Sequence, residues 1–252
     1  LVITDYILPV SVFLGFFLSS AWLVFFLLED KEKPEPKTAI TKTFVLGIIS
    51  ALAAAGFEKL FPLAAPFLKI AEYSAVSIGA NSFIEEFVKF LVVFVFISRS
   101  RYFDEPVDRM VYMITAALGF AVAENFFFLM NASTTEEIIG LSVLRFIGAT
   151  LMHALASGLL GYLWARKKLI FGLVIATAIH TVFNLLVLGF GPEFYPTVFL
   201  VLVAFILFYQ FDKIKAYYHE KQKRGKQLVV SGGGERRPAH HRRLPDGRRY
   251  HH

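Results

Sequence analysis

The chain contains no cysteine. That excludes disulfides, thiolate metal sites and a cysteine nucleophile. There is no His-Glu-x-x-His string of the helical zinc-protease kind. Ser157-Gly158 lacks the Gly-x-Ser-x-Gly setting of a serine nucleophile. No internal repeat is evident, which removes the usual sequence mark of an inverted-repeat transporter. Tyr6–Leu28 has no basic region ahead of it, and charged rather than small residues follow it. It reads as a retained span, not a cleaved signal peptide. Charge is sparse as well, at 18% of residues, so a solvated surface over a soluble core is not the expected build.

What is present is apolar length. The 252 residues are 56% hydrophobic, with 28 Phe and a mean hydropathy of +0.57, against ~45–50% apolar for a soluble domain. Apolar stretches run over Tyr6–Leu28, Ala39–Phe57, Ile78–Ile97, Met110–Met130, Ile138–Ala165, Leu169–Phe190 and Phe194–Phe211. The expected fold is all-α, a polytopic membrane bundle of about seven to eight transmembrane helices. Leu60–Ile70, with Pro62 and Pro66, is too short to span and reads as interfacial or re-entrant. Residues 1–219 form the expected transmembrane domain. Residues 220–252 form a basic cytoplasmic tail, expected to be disordered from Ser231 on. Its His240, His241, His251 and His252 resemble a tag or low-complexity run more than a metal site.

Basic and non-basic loops alternate. Lys31, Lys33, Lys37 and Lys42 lie in one loop, Arg99, Arg101 and Arg109 in another, and Arg166, Lys167 and Lys168 in a third. Asn131–Glu137 and Gly189–Pro196 have no basic residue. The positive-inside rule then puts the N-terminus outside and the C-terminus in the cytoplasm of a cytoplasmic (inner) membrane protein. The net charge of +6 belongs to the cytoplasmic segments. It suits solvent or lipid headgroups, and no nucleic-acid partner is expected.

Against that background the stretch Asn81–Lys89 stands out. It places Glu85, Glu86 and Lys89 inside an apolar span. A charge at mid-helix costs roughly 2.5–3.5 kcal/mol on insertion scales, and the default meaning of such groups is a site. Other spans carry Glu124-Asn125, His153 with Ser157, and His180 with Asn184. At 1.5 Å per residue, Glu85, Glu124, His180 and Asn184 fall roughly 9, 10, 14 and 8 Å below the outer boundary, and His153 roughly 18 Å. Groups on antiparallel helices thus converge on one level and imply one polar cavity opening outward. Arg145 reads as a snorkelling interfacial residue. A desolvated carboxylate suits a general base acting on water. Lys89 would keep it ionised, and Asn184 can donate to an oxyanion.

The strings Glu85-Glu86-x-x-Lys89, Gly119-Phe120-Ala121-x-x-Glu124-Asn125, Arg145…His153-Ala154 and His180-x-x-x-Asn184 resemble those of PrsW-type glutamic intramembrane proteases. These lie within the superfamily of CAAX-processing and bacteriocin-immunity proteases. The resemblance covers residues 80–190. Lys89 stands three residues after Glu86, where the CAAX branch has an Arg at four, and the Phe-x-x-x-His string of that branch is absent around His153. The resemblance implies an intramembrane peptidase with no metal or other cofactor. Its substrate would be a single-pass, anti-sigma-factor-like protein, cut on the extracytoplasmic side to start a stress response. It implies that Glu85 activates water with His153, that Glu86 supports it, and that His180 and Asn184 hold the oxyanion. Lys89, Glu124 and Asn125 are supporting residues. Three rival readings stand beside it. One is a proton-coupled transporter using the same Glu and His groups. Another is a zinc protease with Glu85, His153 and His180 as ligands. The third is an inert protein of the same fold.

Overall fold

The computed structural model describes residues 2–28, 34–64, 70–71 and 74–232. Among them there is no strand. The helices are α1 (Val2–Leu27), α2 (Lys37–Ala64), α3 (Ala75–Phe96), α4 (Asp108–Leu129), α5 (Thr135–Arg145), α6 (Leu151–Ala165), α7 (Leu169–Phe190) and α8 (Phe194–Gly232). Phe146–Thr150 forms a π turn between α5 and α6. Two compact units result, Leu1–Lys215 and Ala216–His252. The first is a helical membrane bundle. The second is described only as the remainder of α8 to Gly232. The expectations for residues 233–252, including the four tail histidines, lie outside the described residues.

Six segments are long and apolar enough to cross a bilayer: α1 from Ile7, α2 to Leu60, α4, the run Thr135–Ala165, α7, and α8 to Tyr217. The 22-residue α3 matches them in length but carries the three charges of Glu85, Glu86 and Lys89. Side chains on the outside of the bundle are apolar. Ile170 is 80% exposed and Phe205 72%, as lipid contact requires. The expected short segment Leu60–Ile70 takes a different form. Residues 60–64 continue α2, because the intrahelical hydrogen bonding of an apolar helix is the cheapest way to satisfy backbone groups at that depth. Residues 65–69 lie outside the described set.

Helix starts follow local chemistry. The Ser74 hydroxyl accepts from the Ser77 N–H and caps α3. Thr134 caps α5 by accepting from the Glu137 N–H, while the Glu137 carboxylate accepts from the Ser133 N–H. Gly191, at φ 83°, ends α7 in a conformation that glycine adopts freely.

α4 is the axis of the bundle. Met110 to Ala121 is buried almost without interruption, and α1, α2 and α6 pack around it. Small residues set the closeness. A Cβ on Gly119 would lie 2.0 Å from the Phe44 carbonyl oxygen, and one on Gly47 would lie 2.1 Å from that of Ala116. α2 and α4 therefore touch backbone to backbone. Beside this contact, Phe90, Val93, Met113, Ile114, Leu155 and Leu160 form a dry floor. The polar residues lie above it, toward the end where α3 and α5 begin and α4 and α7 finish.

Candidate active site

The floor fixes α3, α4, α6 and α7 around one polar cluster. Glu86 is at its centre and fully buried. Its Oε1 accepts from Lys89 Nζ at 2.7 Å and from His180 Nδ1 at 3.1 Å. Its Oε2 accepts from the Ser157 hydroxyl at 3.0 Å. Lys89 Nζ also donates to His153 Nδ1 at 2.7 Å and sits 4.2 Å from the Phe120 ring centroid. With its Nδ1 lone pair occupied, His153 carries its proton on Nε2 and donates to Glu124 Oε2 at 2.6 Å. The two imidazoles meet edge to face, 4.9 Å apart. A buried charge is tolerated only when it is well paired: Glu86 accepts three hydrogen bonds, and Lys89 donates two and lies 3.7 Å from Glu85.

The π turn completes the arrangement. In a straight helix Arg145 and His153, eight residues apart, would point about 80° apart. Widening one turn by a residue turns them back by about 100° and brings them to one face. Both then reach the same atom, since Arg145 Nη2 lies 2.9 Å from Glu124 Oε2. Arg145 is therefore not a snorkelling residue. It is buried, pairs with Glu124, and its Nε donates to the Asn125 side chain. Asn125 donates in turn to Thr150 at 2.9 Å and braces α4 against the π turn.

A cavity of about 540 Å³ opens on this cluster. Glu85, Glu124, His153, His180 and Asn184 line it, together with Asn81, Arg145, Phe128, Leu141 and Val187. Glu86, Lys89 and Asn125 stand behind the wall. Glu85 differs from its neighbour in one decisive respect. Its Oε2 has no hydrogen-bond partner and lies 3.7 Å from Lys89 Nζ and 3.9 Å from His180 Nε2. With His180 donating through Nδ1 to Glu86, its Nε2 presents a lone pair toward Glu85.

Every site residue expected from the sequence lines this cavity or stands behind its wall. Three neighbours have places in the site that are not evident from sequence. Ser157 shares a helix face with His153 but reads as helix packing. The position of Arg145 depends on a π turn that no residue pattern announces. Glu58 of α2 lines the cavity. An apolar run ending at Phe57 puts Glu58 in a loop, and the signal that would have placed it is the extra helical turn of α2.

Glu85, His153 and His180 each bring one ligand-type atom within 4.8 Å of the others, the set that a zinc reading requires. As placed, they do not fit an ion. One nitrogen of His153 accepts from Lys89 and the other donates to Glu124, so neither has a lone pair to offer. The ammonium of Lys89 already sits against Glu86, His153 and Glu85, and its positive charge opposes a divalent cation beside them.

The sequence model of a family described as PrsW family intramembrane metalloprotease matches residues 35–210. The chain is 31% identical over 148 residues to the Protease PrsW of Geobacillus kaustophilus, covering 59% of this chain and 62% of that relative, so it spans less than two thirds of its length. It is 26% identical over 206 residues to the Protease PrsW of Oceanobacillus iheyensis, covering 77% of this chain and 90% of that one. It is 23% identical over 209 residues to the Protease PrsW of Clostridioides difficile, covering 77% and 86%. No solved structure matches it.

Proposed function

The chain belongs to the PrsW family of intramembrane proteases, and from that premise we propose that it is an endopeptidase of the glutamic type, with Glu85 as general base. The observation that carries this reading is the Glu85 carboxyl, which lines the cavity with His180 Nε2 3.9 Å from its Oε2. A water held between them loses a proton to Glu85 as its oxygen attacks the scissile carbonyl. Asn184 and Asn81, which line the same cavity, supply carboxamide donors for the oxyanion. As the C–N bond breaks, the proton passes from Glu85 to the leaving amine. In this reading His180, not His153, is the imidazole that works with Glu85. His153, Glu124, Arg145, Lys89 and Glu86 hold the cavity wall in one arrangement. The family description names a metalloprotease, but the donor set does not fit an ion, and no step passes through one.

The substrate in this proposal is a single-pass membrane protein of the anti-sigma-factor kind. It would be cut on the extracytoplasmic side of the inner membrane, in keeping with the loop charges and the position of the cavity toward the end bearing Asn131–Glu137. The test compares the membrane proteome of cells carrying Glu85→Gln with wild type. One single-pass protein should accumulate uncut, and an unchanged proteome would overturn the proposal. An impermeant thiol reagent should label a cysteine placed at Ser133 but not one at Ser231, and the reverse pattern would overturn the orientation. Chelation should leave cleavage by purified protein intact. Loss on chelation with return on stoichiometric zinc would make Glu85, His153 and His180 ligands instead.

A further inference from the structure

A π turn disturbs the ladder of a helix. The inserted residue staggers the N–H and C=O groups around it, and a carbonyl so displaced needs a donor from outside the helix. At bilayer depth water cannot supply one. Here the donor comes from α1. The indole Nε1 of Trp22 donates to the Phe146 carbonyl at 2.8 Å, and the two rings lie 5.3 Å apart. A tryptophan acting only as an interfacial anchor would turn its N–H to the headgroups. This one turns it to the backbone of a helix turn 124 residues on. We propose that Trp22 is a positioning residue that acts through the π turn on Arg145.

The turn is held at both ends. Phe146, its first residue, is bound by Trp22, and Thr150, its last, accepts from Asn125 of α4. α1 is itself fixed against that part of α4. A Cβ on Gly15 would lie 3.1 Å from the Val122 carbonyl oxygen and 3.6 Å from the Asn125 Cβ. Gly15 and Trp22 are nearly two full turns apart, so they share one face of α1. That face reaches both α4 and the π turn. With the turn in place, Arg145 and His153 both reach Glu124 Oε2. Without the indole N–H the Phe146 carbonyl loses this donor, and relaxing the turn to ordinary α geometry removes the need for it. Arg145 then swings by about 100°, away from Glu124 and from the Asn125 side chain that its Nε meets. Glu124 lines the cavity, so the loss carries to the site.

The inference rests on the protease reading, and measurements on the full-length protein separate their fates. Two of them need no activity. The chain has two tryptophans, so magnetic resonance of isotope-labelled protein shows two indole N–H signals, and Trp164→Phe leaves that of Trp22. This signal should exchange slowly with deuterium, and exchange as fast as that of a free indole overturns the hydrogen bond. Trp22→Phe keeps a ring and removes the N–H. It should shift the Arg145 Nε–H signal, identified by its absence in Arg145→Lys. An unmoved signal overturns the proposal, because ring packing alone would leave it in place. The third measurement is kinetic. Trp22→Phe should lower kcat by roughly 3-fold to 10-fold, the net worth of an uncharged hydrogen bond, with KM little changed. A wild-type kcat, or a change confined to KM, overturns the positioning role. A wild-type protein that cleaves nothing, with both signals as expected, overturns the protease reading alone.

Discussion

The two halves of α4 do opposite jobs with the same backbone. From Met110 to Gly119 the helix is pressed against α2 and α6 with no polar side chain beyond Tyr112 and Thr115, and a single added methyl at Gly119 would strike the Phe44 carbonyl. From Phe120 to Leu129 it carries Glu124 and Asn125, both held by side chains of other helices. The first half tolerates no volume, and the second tolerates no unmatched charge. The close-packed floor is what lets the charged half be exact about distance. Each ion pair above it is set by backbones that cannot drift, so desolvated charges meet partners at 2.6–3.1 Å and do not search for them.

The largest expected effect breaks the charged half. Lys89→Met removes the donor shared by Glu86 and His153 at near-constant volume. Leaving a buried charge unpaired costs about 3–5 kcal/mol, and the purified protein should lose that stability in a detergent unfolding series. An unchanged midpoint would mean that the network is ornamental. Next comes the cavity wall. Asn184→Ala should lower kcat by roughly 10²–10³, with less change in KM and none in stability. A pure KM effect would make Asn184 a binding group. The floor comes third. Gly119→Ala should cost about 1–3 kcal/mol through overpacking, while the molecules that do fold cleave at the wild-type rate. A fall in kcat among folded molecules would show that the α2–α4 separation also sets the geometry above it. The smallest effect is expected on the lipid face, where Ile170→Ala should stay within about 0.5 kcal/mol.

The helices were legible because apolar length is dictated by bilayer thickness, and α1, α4 and α7 begin and end close to where their apolar runs do. Glu85, Glu86 and Lys89 were legible for the complementary reason, since a charge inside such a run has no cheap explanation. What the sequence hid was angular and terminal. Eight residues separate Arg145 from His153 whether or not a π turn intervenes, and only the turn puts both on Glu124. Glu58 was hidden because hydropathy falls where Phe57 ends, although backbone hydrogen bonding carries α2 on to Ala64. Division of labour between the paired glutamates was also beyond the sequence. Neighbours on a helix differ by about 100°, but which one meets the cavity depends on how α3 is rotated in the bundle.

The π turn at Phe146–Thr150 has a consequence for how relatives of this chain should be aligned. A π turn is a one-residue insertion that a helix has absorbed without breaking. In a sequence comparison its loss would register as a single gap in a span full of interchangeable apolar letters. In space that gap would swing everything before it by about 100° relative to His153, carrying the guanidinium of Arg145 away from Glu124. Counted residue spacing between those two positions is therefore a poor guide to whether a homologue keeps this cation. A variant with one residue deleted between Phe146 and Thr150 would look conservative on paper and be rewired in three dimensions.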